Sequence, residues 1–260
     1  MITQVIDGKQ ITQALKNLGV KPGMTLEVHS SLKNLGYIVG YAQTVVDALL
    51  DCVGYEGTIV MPLQCSDNSE PGSWINPPAP REMWDQIRDN IPAFDPIESD
   101  LPGMGEVVNN FRRRQGVYYT RHPSCAFVAY GKYAKLICSH QNLNYSLNEH
   151  SPLGRMIDLQ AKVLLLGVDY DNCTGMHLAE YESHVRPIMI YGSAIDRGQG
   201  REWVKYLDIE LNSDEFKEPG KRLEKANLVS IGRINQTTLK LFDLKQAVNY
   251  TKTYLSDKYQ

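Results

Sequence analysis

The stretch Lys162-Val163-Leu164-Leu165-Leu166-Gly167 constrains the fold of this chain more tightly than any other segment. Consecutive apolar residues without polar alternation make a strand buried on both faces, and such strands belong to sheets covered by helices on either side. The run opens into a polar loop, Val168-Asp169-Tyr170-Asp171-Asn172, and a helix is expected from about Thr174. Loops leaving the carboxyl ends of parallel strands are where α/β sheets hold their ligands, so this loop marks where chemistry should be sought.

The rest of the chain supplies the other layers. Residues 7–18 place Ile11, Leu15 and Leu18 on one helical face, with Gly19 positioned to end the helix. Residues 25–31 alternate like a strand and run into small polar residues. Tyr41 to Val53 reads as a helix closed by Gly54, and residues 58–61 as a short apolar strand stopped by Pro62. A helix is expected over 104–114, strands at 117–120 and 126–130, and an amphipathic helix at about 241–255 with Leu244, Val248 and Tyr254. The expected fold is α/β, a mixed, largely parallel central sheet flanked by helices. At 260 residues, 42% of them hydrophobic, and with no linker or repeat, the chain should form a single domain over 1–260.

Residues 64–102 break the pattern as a long acidic, proline-rich insertion containing Trp74 and Trp84. Its acids, Asp67, Glu70 and Glu82 among them, outnumber Arg81 and Arg88. The segment reads either as a solvated surface loop or as an anionic wall for a cationic ligand.

Several classes are disfavoured. The net charge is −3 and Arg112-Arg113-Arg114 is the only dense basic run, so no nucleic-acid partner is expected. No apolar run has the length of a membrane span, mean hydropathy is −0.34, and Met1-Ile2-Thr3-Gln4-Val5 lacks the charged-then-apolar pattern of a signal peptide. The five cysteines (Cys52, Cys65, Cys125, Cys138, Cys173) form no CxxC pair, which fits reduced thiols and a cytoplasmic location.

The densest cluster of reactive side chains is Thr174-Gly175-Met176-His177-Leu178-Ala179-Glu180-Tyr181-Glu182-Ser183-His184. At helical spacing His177, Glu180 and His184 share one face. Three arrangements fit. Glu180 or Asp171 orients His177 as a general base; or His177, Glu180 and His184 hold a metal, as in a zinc hydrolase; or the histidines are incidental to a surface helix. At His122-Pro123-Ser124-Cys125 a strand hands over to a turn, a weak signal for a thiol nucleophile because this spacing outside a helix does not bring Cys and His together. His29-Ser30-Ser31-Leu32-Lys33-Asn34-Leu35-Gly36 ends a strand with small residues whose N–H groups suit a phosphate or polar amide, but it is neither a Walker loop nor a GxGxxG turn.

Taken in order, His29-Ser30-Ser31-Leu32, Gly57-Thr58-Ile59-Val60-Met61-Pro62, Trp84 followed by Phe94-Asp95-Pro96, Met104-Gly105, Phe111-Arg112, His122-Pro123, Ser151-Pro152-Leu153-Gly154, Leu164-Leu165-Leu166-Gly167-Val168 and Thr174-Gly175-Met176-His177-Leu178-Ala179-Glu180 resemble the aminoglycoside 3-N-acetyltransferase family over nearly the whole chain. The resemblance implies an antibiotic-resistance acyltransferase. Such an enzyme uses acetyl-CoA, without a metal, to acetylate the 3-amino group of a 2-deoxystreptamine ring or a related amine acceptor. It implies His177 as base, Glu180 as its companion and Asp171 as an acidic position ahead of it, with Thr174 or backbone N–H groups near Ser31 facing the oxyanion. It also implies that Ser30, Ser31, Leu32 and Gly36, together with His122, Pro123 and Ser124, line the coenzyme A groove. Glu149 matches a family acid facing the antibiotic, and Asp67 and Glu82 join it as expected substrate contacts. The chain departs from the family pattern at Tyr119-Thr120, at Ala126, at Ser99-Asp100-Leu101-Pro102, at Cys173, and at Gly175, where Ser is common.

Overall fold

Seven strands form the central sheet of the computed structural model, which describes residues 5–260; Met1 to Gln4, where the terminus was read above, lie outside the described residues. Across the sheet the order is Val229–Ile234, Thr237–Asp243, Lys162–Leu166, Thr25–Ser30, Thr58–Gln64, Cys125–Gly131 and Tyr118–Tyr119. The three middle strands run parallel, and the pairs on either side join them antiparallel, giving the mixed sheet expected from the sequence.

Strand alternation explains the composition of the central run. Leu164 and Leu166 point into one core with Leu15, Val45, Leu49 and Phe111, while Val163 and Leu165 point into the other with Met156, Phe216, Leu244 and Val248. Helices Gly8–Leu18, Tyr41–Val53 and Glu106–Arg112 cover the first face; Pro152–Asp158, Lys217–Lys225 and Leu244–Tyr259 cover the second. The neighbouring strand obeys the same rule with a different outcome. Leu26 and Val28 enter the first core, so Glu27 and His29 are turned to the opposite face.

Three elements differ from expectation by more than two residues. The Thr58–Gln64 strand runs through Pro62. Phe127, opposite Pro62, directs its N–H to Thr120 Oγ1 and its carbonyl to the Thr120 N–H, away from Pro62. The missing N–H of Pro62 therefore falls on the side of Thr25–Ser30, which pairs with this strand only as far as Val60. A proline costs no ladder bond there, and the two strands part. The C-terminal helix is Leu244–Tyr259, because 237–243 is a strand and the Asp243 carboxylate caps the helix by accepting from the Gln246 N–H. After the polar loop the chain makes a 3₁₀ turn, Thr174–His177, before the α-helix Leu178–Ser183.

Ile188–Asp196 and Arg201–Ile209 form a separate antiparallel ribbon. The 64–102 segment holds short 3₁₀ turns and one helix, Trp84–Asn90. No helix among the described residues is long and apolar enough to cross a membrane.

Candidate active site

Where Thr25–Ser30 and Thr58–Gln64 separate, a cavity of about 190 Å³ opens. Its walls include His29 and Ser30 from one strand, Pro62 from the other, and Asp171, Thr174 and His177 from the turn above. Ser30, Met104 and Asn172 are shared with a groove of about 1260 Å³ that runs past Ser31, Leu32 and Gly36. Cavity and groove are therefore one continuous cleft at the carboxyl ends of the parallel strands.

His177 and Glu180 meet because the 3₁₀ turn passes directly into the helix. Nδ1 of His177 lies 2.5 Å from Oε2 of Glu180. A carboxylate at Nδ1 makes that nitrogen the donor and leaves Nε2 with a lone pair for the cavity. Glu180 is 0% exposed. Its other oxygen accepts from Arg186 Nε at 2.6 Å and from the Asn212 N–H at 3.0 Å. Arg186 also donates to Glu215 at 3.1 Å. Burial opposes the charge on Arg186, but Glu180 and Glu215 outweigh it and hold the guanidinium above its ordinary value. Phe216 sits edge-on to the imidazole with ring centroids 4.8 Å apart.

The metal arrangement is not formed. His184 ends the helix in the left-handed conformation and is exposed, while both oxygens of Glu180 are taken by His177, Arg186 and the Asn212 amide. Among the described residues, the group whose donor atoms approach metal-ligand spacing is Glu27, His29 and Cys173, within 4.8 Å of one another. The Thr174 N–H points at Nε2 of His29, and burial followed by the Glu27 charge pushes the Cys173 thiol well above its usual range.

Other expected residues fall in different places. Asp171 lines the cavity but pairs with Lys217 at 2.7 Å, so the acid bonded to His177 is Glu180. Of the donors expected to face the oxyanion, the Thr174 N–H is directed at His29 and the Ser31 N–H bonds Leu166 O, while the Thr174 hydroxyl and the N–H groups of Leu32 and Lys33 on the groove wall make no bond to a described residue. His122, Pro123 and Ser124 line neither cavity nor groove. His122 pins its own turn, Nε2–H donating to Leu143 O and Nδ1 accepting from the Ser124 and Cys125 N–H groups. It meets the backbone of Cys125, and the thiol is pushed up to about 12 by burial and by Asp208, so no thiol nucleophile is assembled. Ser124 bonds Tyr206 on the ribbon at 2.8 Å. Asp67 borders a separate depression beside Trp74, and Glu82 and Glu149 are exposed and border neither part of the cleft. Within the acidic segment, Glu70 and Asp85 are paired with Arg88.

Glu27, Arg186, the Asn212 amide and the His29 side chain are site groups that no sequence motif marks. Strand alternation, which puts Glu27 and His29 on one face, was the available signal for the last.

Comparison with known proteins agrees with this architecture. The family model described as aminoglycoside 3-N-acetyltransferase matches residues 28–256. The SPbeta prophage-derived aminoglycoside N(3')-acetyltransferase-like protein YokD of Bacillus subtilis (strain 168) is 39% identical over 247 residues, 95% of this chain and 91% of that protein. Its crystal structure superposes with a TM-score of 0.95, covering 98% of this chain and 95% of that one. Aminoglycoside N(3)-acetyltransferase VIII of Streptomyces fradiae is 33% identical over 210 residues, 78% of this chain and 71% of that protein. The crystal structure of aminoglycoside acetyltransferase AAC(3)-Xa, 28% identical, has a TM-score of 0.90 over 98% of this chain and 94% of that one.

Proposed function

The chain belongs to the aminoglycoside 3-N-acetyltransferase family, and on that premise we propose that it transfers the acetyl group of acetyl-CoA to the 3-amino group of a 2-deoxystreptamine aminoglycoside. The single observation that carries the reading is the His177–Glu180 pair at 2.5 Å, with the imidazole on the wall of a cavity continuous with a large groove. The groove past Ser30, Ser31, Leu32 and Gly36 receives the coenzyme, which enters as a substrate. The cavity receives the amine.

An amine of this kind is mostly protonated at neutral pH, and an ammonium has no lone pair with which to attack. Imidazole, with an ordinary pKa of about 6.5, is suited to take that proton. Nε2 of His177 accepts it, Glu180 keeps Nδ1–H in place and stabilises the imidazolium, and Arg186 holds Glu180 still from behind. The attacking amine then reaches the thioester carbon directly, with no covalent enzyme intermediate.

The test is release of thiol from acetyl-CoA with a panel of 2-deoxystreptamine antibiotics. Acceptor-dependent release is expected, and His177→Ala should lower turnover by about 10²–10⁴-fold at saturating substrates. Retention of more than about a tenth of turnover would remove His177 from the role of base. A second reading, transfer to a different amine acceptor, is favoured by one observation: Asp67, Glu82 and Glu149 lie off the cavity wall. Silence across the antibiotic panel with acetyl-CoA still bound would select it.

A further inference from the structure

His29 lines the same cavity as His177, from the end of the Thr25–Ser30 strand, and two groups that the base does not use stand at its ring. The Thr174 backbone N–H is directed at Nε2 at 3.3 Å. Oε1 of Glu27 also approaches Nε2, at 3.2 Å, but off the line of a ring N–H, so neither Glu27 oxygen makes a hydrogen bond and, unlike Glu180 at His177, it does not claim the ring proton. A nitrogen that accepts an amide proton in its lone pair carries no proton of its own. The neutral ring must then carry its proton on Nδ1, which makes no hydrogen bond to any described residue.

The arrangement is built rather than incidental. Glu27 is 0% exposed and packs behind the ring, and the turn lies tight against it at Gly175, where a Cβ would lie 2.3 Å from Glu27 Oε2.

We propose that His29 is a second catalytic residue, its Nδ1–H donating to the oxyanion formed from the thioester carbonyl, with Thr174 N–H as the positioning group that sets its tautomer. This rests on the acetyl-transfer reading above. Attack of the amine forms the C–N bond and moves the carbonyl π pair onto oxygen, where a donor is needed. On collapse the C=O bond re-forms, the C–S bond breaks, and its electron pair leaves with sulfur. Two protons leave the nitrogen: His177 passes the one that freed the amine to solvent, then takes the second from the nitrogen of the tetrahedral adduct and delivers it to that thiolate. The Ser31 and Thr174 N–H groups are engaged elsewhere, and His29 supplies a donor on the cavity wall beside the Thr174 hydroxyl.

Two measurements test it. The first is ¹⁵N NMR of the full chain labelled at histidine, at neutral pH, with the His29 signals identified by their loss in His29→Gln. A protonated Nδ1 and an unprotonated Nε2 are expected; a proton on Nε2 overturns the proposal whatever reaction the protein catalyses. The second compares His29→Ala, His29→Gln and His29→Asn. The Asn amide nitrogen lies near the place of Nδ1, the Gln amide nitrogen near that of Nε2. His29→Ala and His29→Gln should lower kcat by about 10²–10³-fold with KM for acetyl-CoA little changed, and His29→Asn should recover much of the loss. Equal activity of the Gln and Asn variants, or an Ala variant within about threefold of wild type, removes His29 from the oxyanion. Wild-type protein silent with every amine defeats the transferase reading and the oxyanion role with it, while the NMR result still decides the tautomer.

Discussion

Glu180 has three partners and two oxygens, and this decides how its replacement should behave. Glu180→Gln keeps the shape but offers Arg186 or His177 an amide N–H where each needs an acceptor. The imidazole loses the group that fixes its tautomer, and a loss of about 10²–10⁴-fold in kcat is expected, as when an orienting acid behind a catalytic histidine becomes an amide. The guanidinium loses a buried counter-charge while keeping Glu215, so stability should fall by up to about 3 kcal/mol. Steady-state kinetics and urea denaturation of the same variant separate the two effects. Unchanged kcat in a folded variant would show that the pair does not orient the base. Asp171, the alternative acid offered by the loop ahead of His177, is paired with Lys217 instead.

At the scale of elements, the turn from Thr174 to His177 is wedged between the Thr25–Ser30 strand and the C-terminal helix. Glycine 175 is the point of contact, since a Cβ would lie 2.3 Å from Glu27 and 2.4 Å from Leu244 Cδ1. Gly175→Ala should destabilise the fold by about 1–3 kcal/mol through overpacking, read as a lower urea midpoint at unchanged slope. A midpoint equal to wild type would mean that the turn yields without cost and that Glu27 is not clamped. Pro62 has the opposite role. It sits where two strands part and leaves no buried amide behind, so the cavity can form at the strand ends without breaking the ladder to Cys125–Gly131. An apolar run followed by proline reads as a strand that stops, and only the orientation of Phe127 on the next strand reveals why it continues.

Over the whole molecule, several groups tie stability to pH in one direction. Burial drives the His122 pKa below its ordinary value, against the bond to Leu143, so the folded state loses stability as pH falls below about 6.5. For Asp95, Asp169 and Glu215 burial works to raise the pKa, yet hydrogen bonds and cations win and hold all three below the ordinary range. Their contribution is complete above about pH 4 and is lost as pH falls through the depressed values. Melting temperature should therefore decline modestly from pH 7 to 5 and steeply below about pH 4. A Tm that rises on acidification would contradict these assignments. What the sequence determined by itself was local or periodic. A strand apolar on both faces requires two covering layers, and i,i+3 spacing on a helical segment brings His177 to Glu180, because backbone geometry alone dictates both. Pairings across the fold were another matter. The roles of Arg186, the Asn212 amide and His29, and the removal of His122, Glu82 and Glu149 from the cleft, depend on which strand lies beside which. The Asn212 and His29 contacts join residues far apart in the chain, Arg186 returns to Glu180 only after the helix has ended at His184, and the packed structure, not local periodicity, decided which side chains were left to do chemistry.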